Sequence, residues 1–392
     1  MSGAGGHPFQ VSTGFQNVRI SVFYGVSVLT KAFGALCALV AASSVATPVL
    51  AQPKDFTVYG IMDLGVRRTS GLTDTNAPAD ASQTYLGSGL NSASRWGVRG
   101  LTPLGGGQSV VFELESSLDA STGTQRRNSD GTSGPYFDRA SWIGIQDASG
   151  TLTIGRHSSL LADALTSIDP LGARFEDFNP NVTAAALGQH GLADQYGNSG
   201  TPGNAYRLDN SVKLTSRSGA YKSSAMYGFG EQAGDHKPLS SAGLAMSWEE
   251  NGTALTGAYQ NFYDNQGRKL NAWIVGTAFQ SGGLRMAATA SRSDADTGDG
   301  TSTVQRVYSL GGTWSATQRT DWTLAYYKVD RQRSQYSSDD GYGRLVMFGE
   351  YKIAMRTRLY AEFDLTNWNN GYQGVGNQSR ARGFALGMQH RF

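Results

Sequence analysis

From residue 55 onward, apolar and polar positions alternate, and the alternation recurs in blocks of about ten residues. In "FTVYGIMDLGV", Val58, Met62, Leu64 and Val66 share one parity, and Thr57, Asp63 and Arg67 share the other. In "SVVFELESSL", Val110, Phe112 and Leu114 oppose Glu113 and Glu115. "RLDNSVKLTS" sets Val212 and Leu214 against Arg207, Asp209, Ser211 and Lys213. "RLYAEFDL" sets Leu359, Ala361, Phe363 and Leu365 against Arg358, Tyr360, Glu362 and Asp364. The last ten residues, "GFALGMQHRF", repeat the pattern: Phe384, Leu386, Met388 and Phe392 oppose Gly383, Ala385, Gln389 and Arg391. A period of two marks strands with one apolar and one polar face. A frayed end would be polar, so the terminal Phe392 is expected to be held in a sheet.

The breaks between blocks alternate in length. The short ones are "TPLGGG", "DASG", "RSGA", "ENG", "SGG", "ATQR" and "MRT". Longer polar stretches lie between them, such as 70–89, 119–135 and 294–301. Seven turns alternating with eight loops predict sixteen strands with both termini on the turn side. The polar faces are too polar for the core of a sandwich. The predicted fold is therefore all-β: a 16-stranded antiparallel transmembrane β-barrel with short periplasmic turns and long extracellular loops. Its apolar face would meet lipid and its polar face a wet lumen. Closure also removes exposed sheet edges. Trp248, Trp273, Trp322, Trp368, Tyr326, Tyr327 and Tyr351 lie towards strand ends. They fit interfacial girdles, and aromatic β-propensity accounts for each of them equally well.

Composition agrees and adds a boundary. The 392 residues include 51 Gly and 18 Tyr but only 10 Pro, which suits many strands. The one long apolar run, "KAFGALCALVAASSVATPVLA", spans Lys31–Ala51 and has the form of a secretory signal with cleavage after Ala51. The organisation is thus an N-terminal extension and signal over 1–51, then a barrel over 52–392. Cys37, the only cysteine, lies in the leader. Losing Arg19 and Lys31 takes Lys+Arg from 33 to 31 against 31 acids, so the mature chain is neutral and no nucleic-acid partner is expected.

The chain resembles the Gram-negative general porins of the neisserial and burkholderial kind. The carriers are "FTVYGIMDLGV", "SRWGVRG", "LGGG", "FELES", "TLTIGRH" and the closing "GMQHRF", in this order. The resemblance implies a homotrimer in outer-membrane lipid that passes ions and small hydrophilic solutes passively. It also implies that Phe392 is read by the barrel-assembly machinery, and that the third loop folds into the lumen and narrows it. Gln389 departs from the Arg common in the family.

The stretch 158–206 is too long for an ordinary connection. It carries Asp163, Asp169, Glu176, Asp177 and Asp194 against a single Arg174. Arg95 and Arg99 oppose Trp96 and Val98 in parity, so they are expected to point inward. Arg207 has the polar parity of its strand. By resemblance, Arg95, Arg139 and Arg207 occupy the constriction, opposite the acidic loop. Arg139 shares parity with Ile143 and Ile145, so it needs a bulge or a place beyond the lipid band, and Arg156 has the same difficulty. Opposed charges across a narrow pore make a transverse field. With both signs present, the ion preference stays open.

Other functions find less support. The mature chain's His157, His190, His236 and His390 sit in no nucleophile–base or metal motif, so neither enzyme, metal nor cofactor is expected. The alternatives are a substrate-specific channel on the same scaffold and a soluble all-β periplasmic binding protein. N-terminal sequencing of the outer-membrane protein should find a start near Gln52. A start at Met1 would refute the leader.

Overall fold

In a computed structural model, the described residues are 55–125, 134–176, 178–185, 195–199, 206–298 and 300–392. The predicted leader and Asp177 lie outside them. The first half holds β1 (Asp55–Leu72), β2 (Pro78–Ser88), β3 (Arg95–Gly105), β4 (Gln108–Ser117), β5 (Ala140–Gln146) and β6 (Gly150–Ser158). Two helices follow, α1 (Leu160–Ile168) and α2 (Pro180–Ala185), then β7 (Arg207–Ser218), β8 (Tyr221–Gly228) and β9 (Ser241–Glu250). The second half holds β10 (Thr253–Tyr263), β11 (Lys269–Ser281), β12 (Leu284–Gly298), β13 (Thr301–Ser315), β14 (Thr320–Arg333), β15 (Asp340–Ala354), β16 (Thr357–Asn369) and β17 (Arg380–Arg391).

Every pairing is antiparallel, and β17 returns to β1, so the sheet closes. The seventeen segments fill sixteen places in the ring. Residues 64–72 of β1 pair with β2, and residues 55–61 pair with β3. One barrel strand is thus interrupted at 89–94. Ser94 repairs the gap: its hydroxyl accepts from Asp63 N and donates to Asp63 O, both at 3.0 Å. The Asp63 carboxylate accepts from Ser92 N at 3.1 Å, from Tyr360 Oη at 2.8 Å and from Gln389 Nε2 at 3.3 Å.

All seven predicted turns lie where β-strands reverse, at one end of the barrel. Two predicted loops are shorter than expected. Residues 78–88 are strand, leaving 73–77 as the connection, and β12 and β13 leave only residues 299–300 between them. Their polarity misled because loop-end strand residues stand outside the hydrocarbon.

The outer face follows the alternation. Val58, Val66, Ile143, Ile154, Leu310, Leu324, Phe384, Leu386 and Met388 are exposed there. Trp273, Trp322, Tyr326 and Tyr351 are exposed as girdle residues should be. Trp368 and Tyr327 are buried inside instead. Tyr326 and Tyr327 are neighbours in one strand, so only one of them can face out.

The seam is closed by the terminal residue. Phe392 N donates to Gly60 O at 3.1 Å, and Gly60 N to Phe392 O at 3.2 Å. The ring lies over Gly60, where an added Cβ would come within 2.3 Å of it. Deleting Phe392 removes both hydrogen bonds, each worth about 0.5–1.5 kcal/mol, and uncovers the seam. The yield of heat-modifiable barrel should fall severalfold, and Gly60→Leu should lower it for the same reason. Normal yields from both variants would remove Phe392 from the closure.

Candidate functional site

Between β6 and β7, the described residues 159–176 and 178–185 carry the two helices, and their apolar side chains pack on the inner face of the ring. Ser159 caps α1, accepting from Ala162 N at 3.3 Å. The helix buries Leu160, Leu161, Ala164, Leu165 and Ile168 against Ala258, Phe262, Leu270, Ala272 and Ile274 on the inner faces of β10 and β11. Further along, Leu171, Phe175 and Phe178 bury against Ala325, Tyr327, Val346, Phe348 and Tyr360 from β14 to β16. These inner faces are apolar where a water-filled lumen would make them polar. The signal was legible in "LNAWIVG", which is apolar on both parities. The spacing of Leu160, Leu161, Ala164, Leu165 and Ile168 is likewise helical, so the expectation of strands alone is corrected here.

Asp169 holds the loop together. Its side chain is fully buried. It accepts from Leu171 N at 3.0 Å, Ala173 N at 2.9 Å, Asn179 Nδ2 at 3.0 Å, Asn181 Nδ2 at 2.8 Å and Tyr327 Oη at 3.2 Å. Asn181 also donates to Thr289 and Ser309 on the wall. Arg285 of β12 donates to the carbonyls of Ser167 (2.7 Å) and Asp169 (3.2 Å), completing the C-terminus of α1. Asp169 therefore does not face the lumen as expected: five donors turn its carboxylate into the loop. At the tip, Phe175 N donates to Asn91 O at 2.9 Å, so the interruption of the second barrel strand also seats the loop.

Charged residues gather opposite. Glu115 of β4 takes Arg95 Nε at 3.2 Å and Arg139 Nε at 2.7 Å. Arg139 reaches on to Glu176 of the loop at 3.2 Å, and Tyr206 donates to the same carboxylate at 3.0 Å. Tyr59 donates to Glu113 at 2.6 Å and to Glu115 at 3.0 Å. Arg207 donates to the Arg139 carbonyl at 3.0 Å and lies 4.2 Å over the Tyr206 ring. Arg99 stands opposite Glu113 in the ladder, 5.3 Å over the Tyr59 ring. Asp163 pairs with Lys213 of β7. Arg174 and Arg358 share Glu350, at 2.6 and 3.1 Å. Arg95, Arg139, Arg207 and Glu176 thus come together, and Asp163, paired with Lys213, lines the same cavity as Arg139 and Arg207. This cavity, of about 620 Å³, is also lined by Glu113, Glu115, Trp142, His157, Lys213 and Lys222 among others.

A family model described as Gram-negative porin matches residues 35–371. The chain belongs to the Gram-negative porin family. An outer-membrane porin protein of Bordetella pertussis is 31% identical over 140 residues, 33% of this chain and 35% of that protein. Major outer membrane protein P.IB of Neisseria meningitidis serogroup B is 30% identical over 146 residues, 37% of this chain and 40% of that protein. The matches thus span well under half the length of these curated relatives. Among solved structures, an anion-selective porin from Comamonas acidovorans superposes with a TM-score of 0.71 at 20% identity, covering 86% of this chain and 99% of that one. OmpT of Vibrio cholerae, in its trimer form, gives 0.62 at 15% identity, covering 86% and 99%. This porin is an integral β-barrel of the outer membrane.

Two arginines of the porin resolve their parity conflict locally. Arg139 precedes β5, where its side chain is free to turn inward. Arg156 sits at a register shift in β6 and pairs with Asp209. Glu113, Glu115, Lys213 and Glu350 were not singled out from sequence. Their inward parity was visible, but parity does not say which inward charges lie at one depth.

Asp169→Ala should take from the Leu171 and Ala173 N–H groups and the Tyr327 hydroxyl the acceptor they have here, at about 1–3 kcal/mol for each donor that stays buried, and should remove one of the acceptors of each asparagine amide. The barrel should still form. The loop should become cleavable by added protease at least tenfold faster, with noisier single-channel current. A loop as resistant as wild type would show that Asp169 does not hold it.

Proposed function

We propose that this porin is a passive, water-filled channel for ions and small hydrophilic solutes, secreted by way of its N-terminal leader and assembled as a homotrimer. Phe392, exposed at the seam, serves as the signal read by the barrel-assembly machinery. The observation that carries the channel reading is the charged gap between the inward loop and β3–β7. Here Arg139 bridges Glu115 of the wall and Glu176 of the loop, Arg95 shares Glu115, Arg207 lies against Arg139 and Tyr206, and Arg99 stands opposite Glu113. Asp163, paired with Lys213, lines the same cavity as Arg139 and Arg207. Asp177, next to Glu176 in sequence, stays a candidate on the loop side.

Among the described residues, Arg95, Arg99, Arg139, Arg174, Arg207, Lys213 and Arg358 stand against Glu113, Glu115, Asp163, Glu176 and Glu350. The surplus is positive, and an arginine-rich wall favours anions. The Comamonas porin is anion-selective, which fits that sign. A second reading, preference for one solute, draws on Trp142, a large ring lining the cavity. Saturable block of the current by a single solute class would favour it.

Reversal potential in a salt gradient tests the constriction. Wild type should favour anions. Arg95→Glu should raise the cation-to-anion permeability ratio severalfold while leaving the barrel folded, because lumen substitutions tune selectivity. The shift should be largest at low salt, where the Debye length is about 30 Å at 0.01 M against about 3 Å at 1 M. A folded, conducting Arg95→Glu channel with an unchanged potential would place Arg95 away from the constriction.

A further inference from the structure

Inward rings of the barrel meet different fates. Tyr327, Phe348, Tyr360 and Trp368 are buried on the side where the loop packs. Trp142 is not. In β5, Ile143 and Ile145 are exposed on the outer face, so Trp142 has the inward parity, and its half-buried indole lines the cavity beside the charged gap. An apolar ring left against a wet cavity forgoes burial, which is costly unless something covers it.

The ring is fixed in place. It stacks on His157, with ring centroids 6.1 Å apart and planes 18° apart. Ser211 Oγ donates to the Gly155 carbonyl at 2.8 Å, so it takes the Nδ1 proton of His157, also at 2.8 Å. Gly155 is the ladder partner of Trp142, and an added Cβ there would come within 2.2 Å of the Ser141 carbonyl. No side chain therefore stands beside the indole at that position of β6.

The polar groups around the indole are mixed in kind, and their charges are paired. Glu113, the ladder partner on β4, accepts from Tyr59 through Oε1, and its Oε2 is unengaged among the described residues. Thr153 Oγ1 donates to the Lys213 carbonyl at 3.3 Å and keeps its lone pairs. Lys213 Nζ donates to Asp163 and to the Ser158 carbonyl, and an ammonium has a third proton. Arg139 is taken by Glu115 and Glu176. Arg217 and Lys222, which have no ion pair among the described residues, face each other at the turn end of the cavity. Arg217 lies six residues beyond Ser211, which is level with Gly155, roughly 20 Å away at about 3.4 Å per residue.

We infer that Trp142 is the platform of a subsite for a neutral pyranose, with Glu113, Thr153 and Lys213 at its edge. A pyranose has a face of C–H groups and a rim of hydroxyls. The C–H face suits the electron-rich face of the indole. Each hydroxyl both donates and accepts, so the rim matches an edge that offers acceptors and a donor together. An ion gains little where the nearby charges are already paired, and a flat solute without hydroxyls would leave Glu113 and Lys213 unserved. The cavity, about 620 Å³, falls within the range of about 300–1,000 Å³ usual for small-molecule sites. The inference rests on the channel reading and gives its solute-preferring form a solute class.

Planar-bilayer recording of the full oligomer in KCl tests it, with glucose and mannitol as probes. The two match in carbon count and bulk, but mannitol is an open chain with no ring face. Glucose should reduce the current along a saturating curve, and mannitol only in proportion to its concentration. Trp142→Ala should raise the half-saturating glucose concentration about tenfold, and Trp142→Phe about threefold. The KCl current reports that each variant folds and opens. Equal saturation by the two probes in wild type overturns the platform, as does equal saturation by glucose in wild type and Trp142→Ala. Saturation by benzoate and not by glucose overturns the solute class. If Trp142→Ala gives no channels, Thr153→Val, which keeps the shape and loses the hydroxyl, should raise the half-saturating glucose concentration about threefold, and no change rejects the site. A wild type that conducts no KCl defeats the channel reading, whereas one that conducts and shows no saturation by glucose defeats this inference alone.

Discussion

A strand bathed in hydrocarbon cannot leave a backbone amide unpaired, because each unsatisfied group costs several kcal/mol there. That requirement makes the ring close, so the last residue of the chain must reach the first strand, and Phe392 and Gly60 exchange hydrogen bonds where the two ends meet. It also governs the one break in the wall. Where β2 and β3 part, the hydroxyl of Ser94 accepts from Asp63 N in place of a ladder partner and joins Gly89 N on the Asp63 carbonyl. The side chain of Asp63 then anchors the excursion to β16 and β17.

A closed ring of sixteen places encloses more space than wall side chains fill, and the long segment after β6 occupies it unevenly. It packs by ordinary apolar burial on β10, β11 and β14–β16. That side of the ring consequently has two apolar faces, one towards lipid and one towards the loop. The opposite side, β3 to β8, keeps its inward charges and lines the cavity. The loop is seated by neutral donors on one buried carboxylate, Asp169, and by main-chain contact with the interrupted strand. The charges of the gap are thus carried on a rigid support, which is what a transverse field of fixed direction needs.

Within the gap, arginines outnumber their acids and share them. Glu115 serves Arg95 and Arg139, and Glu350 serves Arg174 and Arg358. Shared carboxylates hold the guanidinium planes in place without cancelling them.

Local and periodic features were legible in the amino-acid order alone. Alternation set which side of each strand meets lipid, as Val58, Leu310 and Phe384 show, and short breaks in it, five of them carrying glycine, placed all seven turns. These are properties of neighbouring residues, and neighbours in a strand point to opposite faces by geometry alone. Parity also brought Arg95 and Arg207 to the inner face. It failed where the ladder is irregular: Arg139 lies before its strand, and Arg156 sits on a register shift. The depth at which inward charges meet emerged only on folding, because the stagger between strands sets it. That stagger put Glu115 beside Arg139 and sent Asp163 to Lys213. Packing of the loop settled the rest. Asp169 reads as one acid among five in that segment, and only the fold wraps five donors around it and withdraws it from the channel.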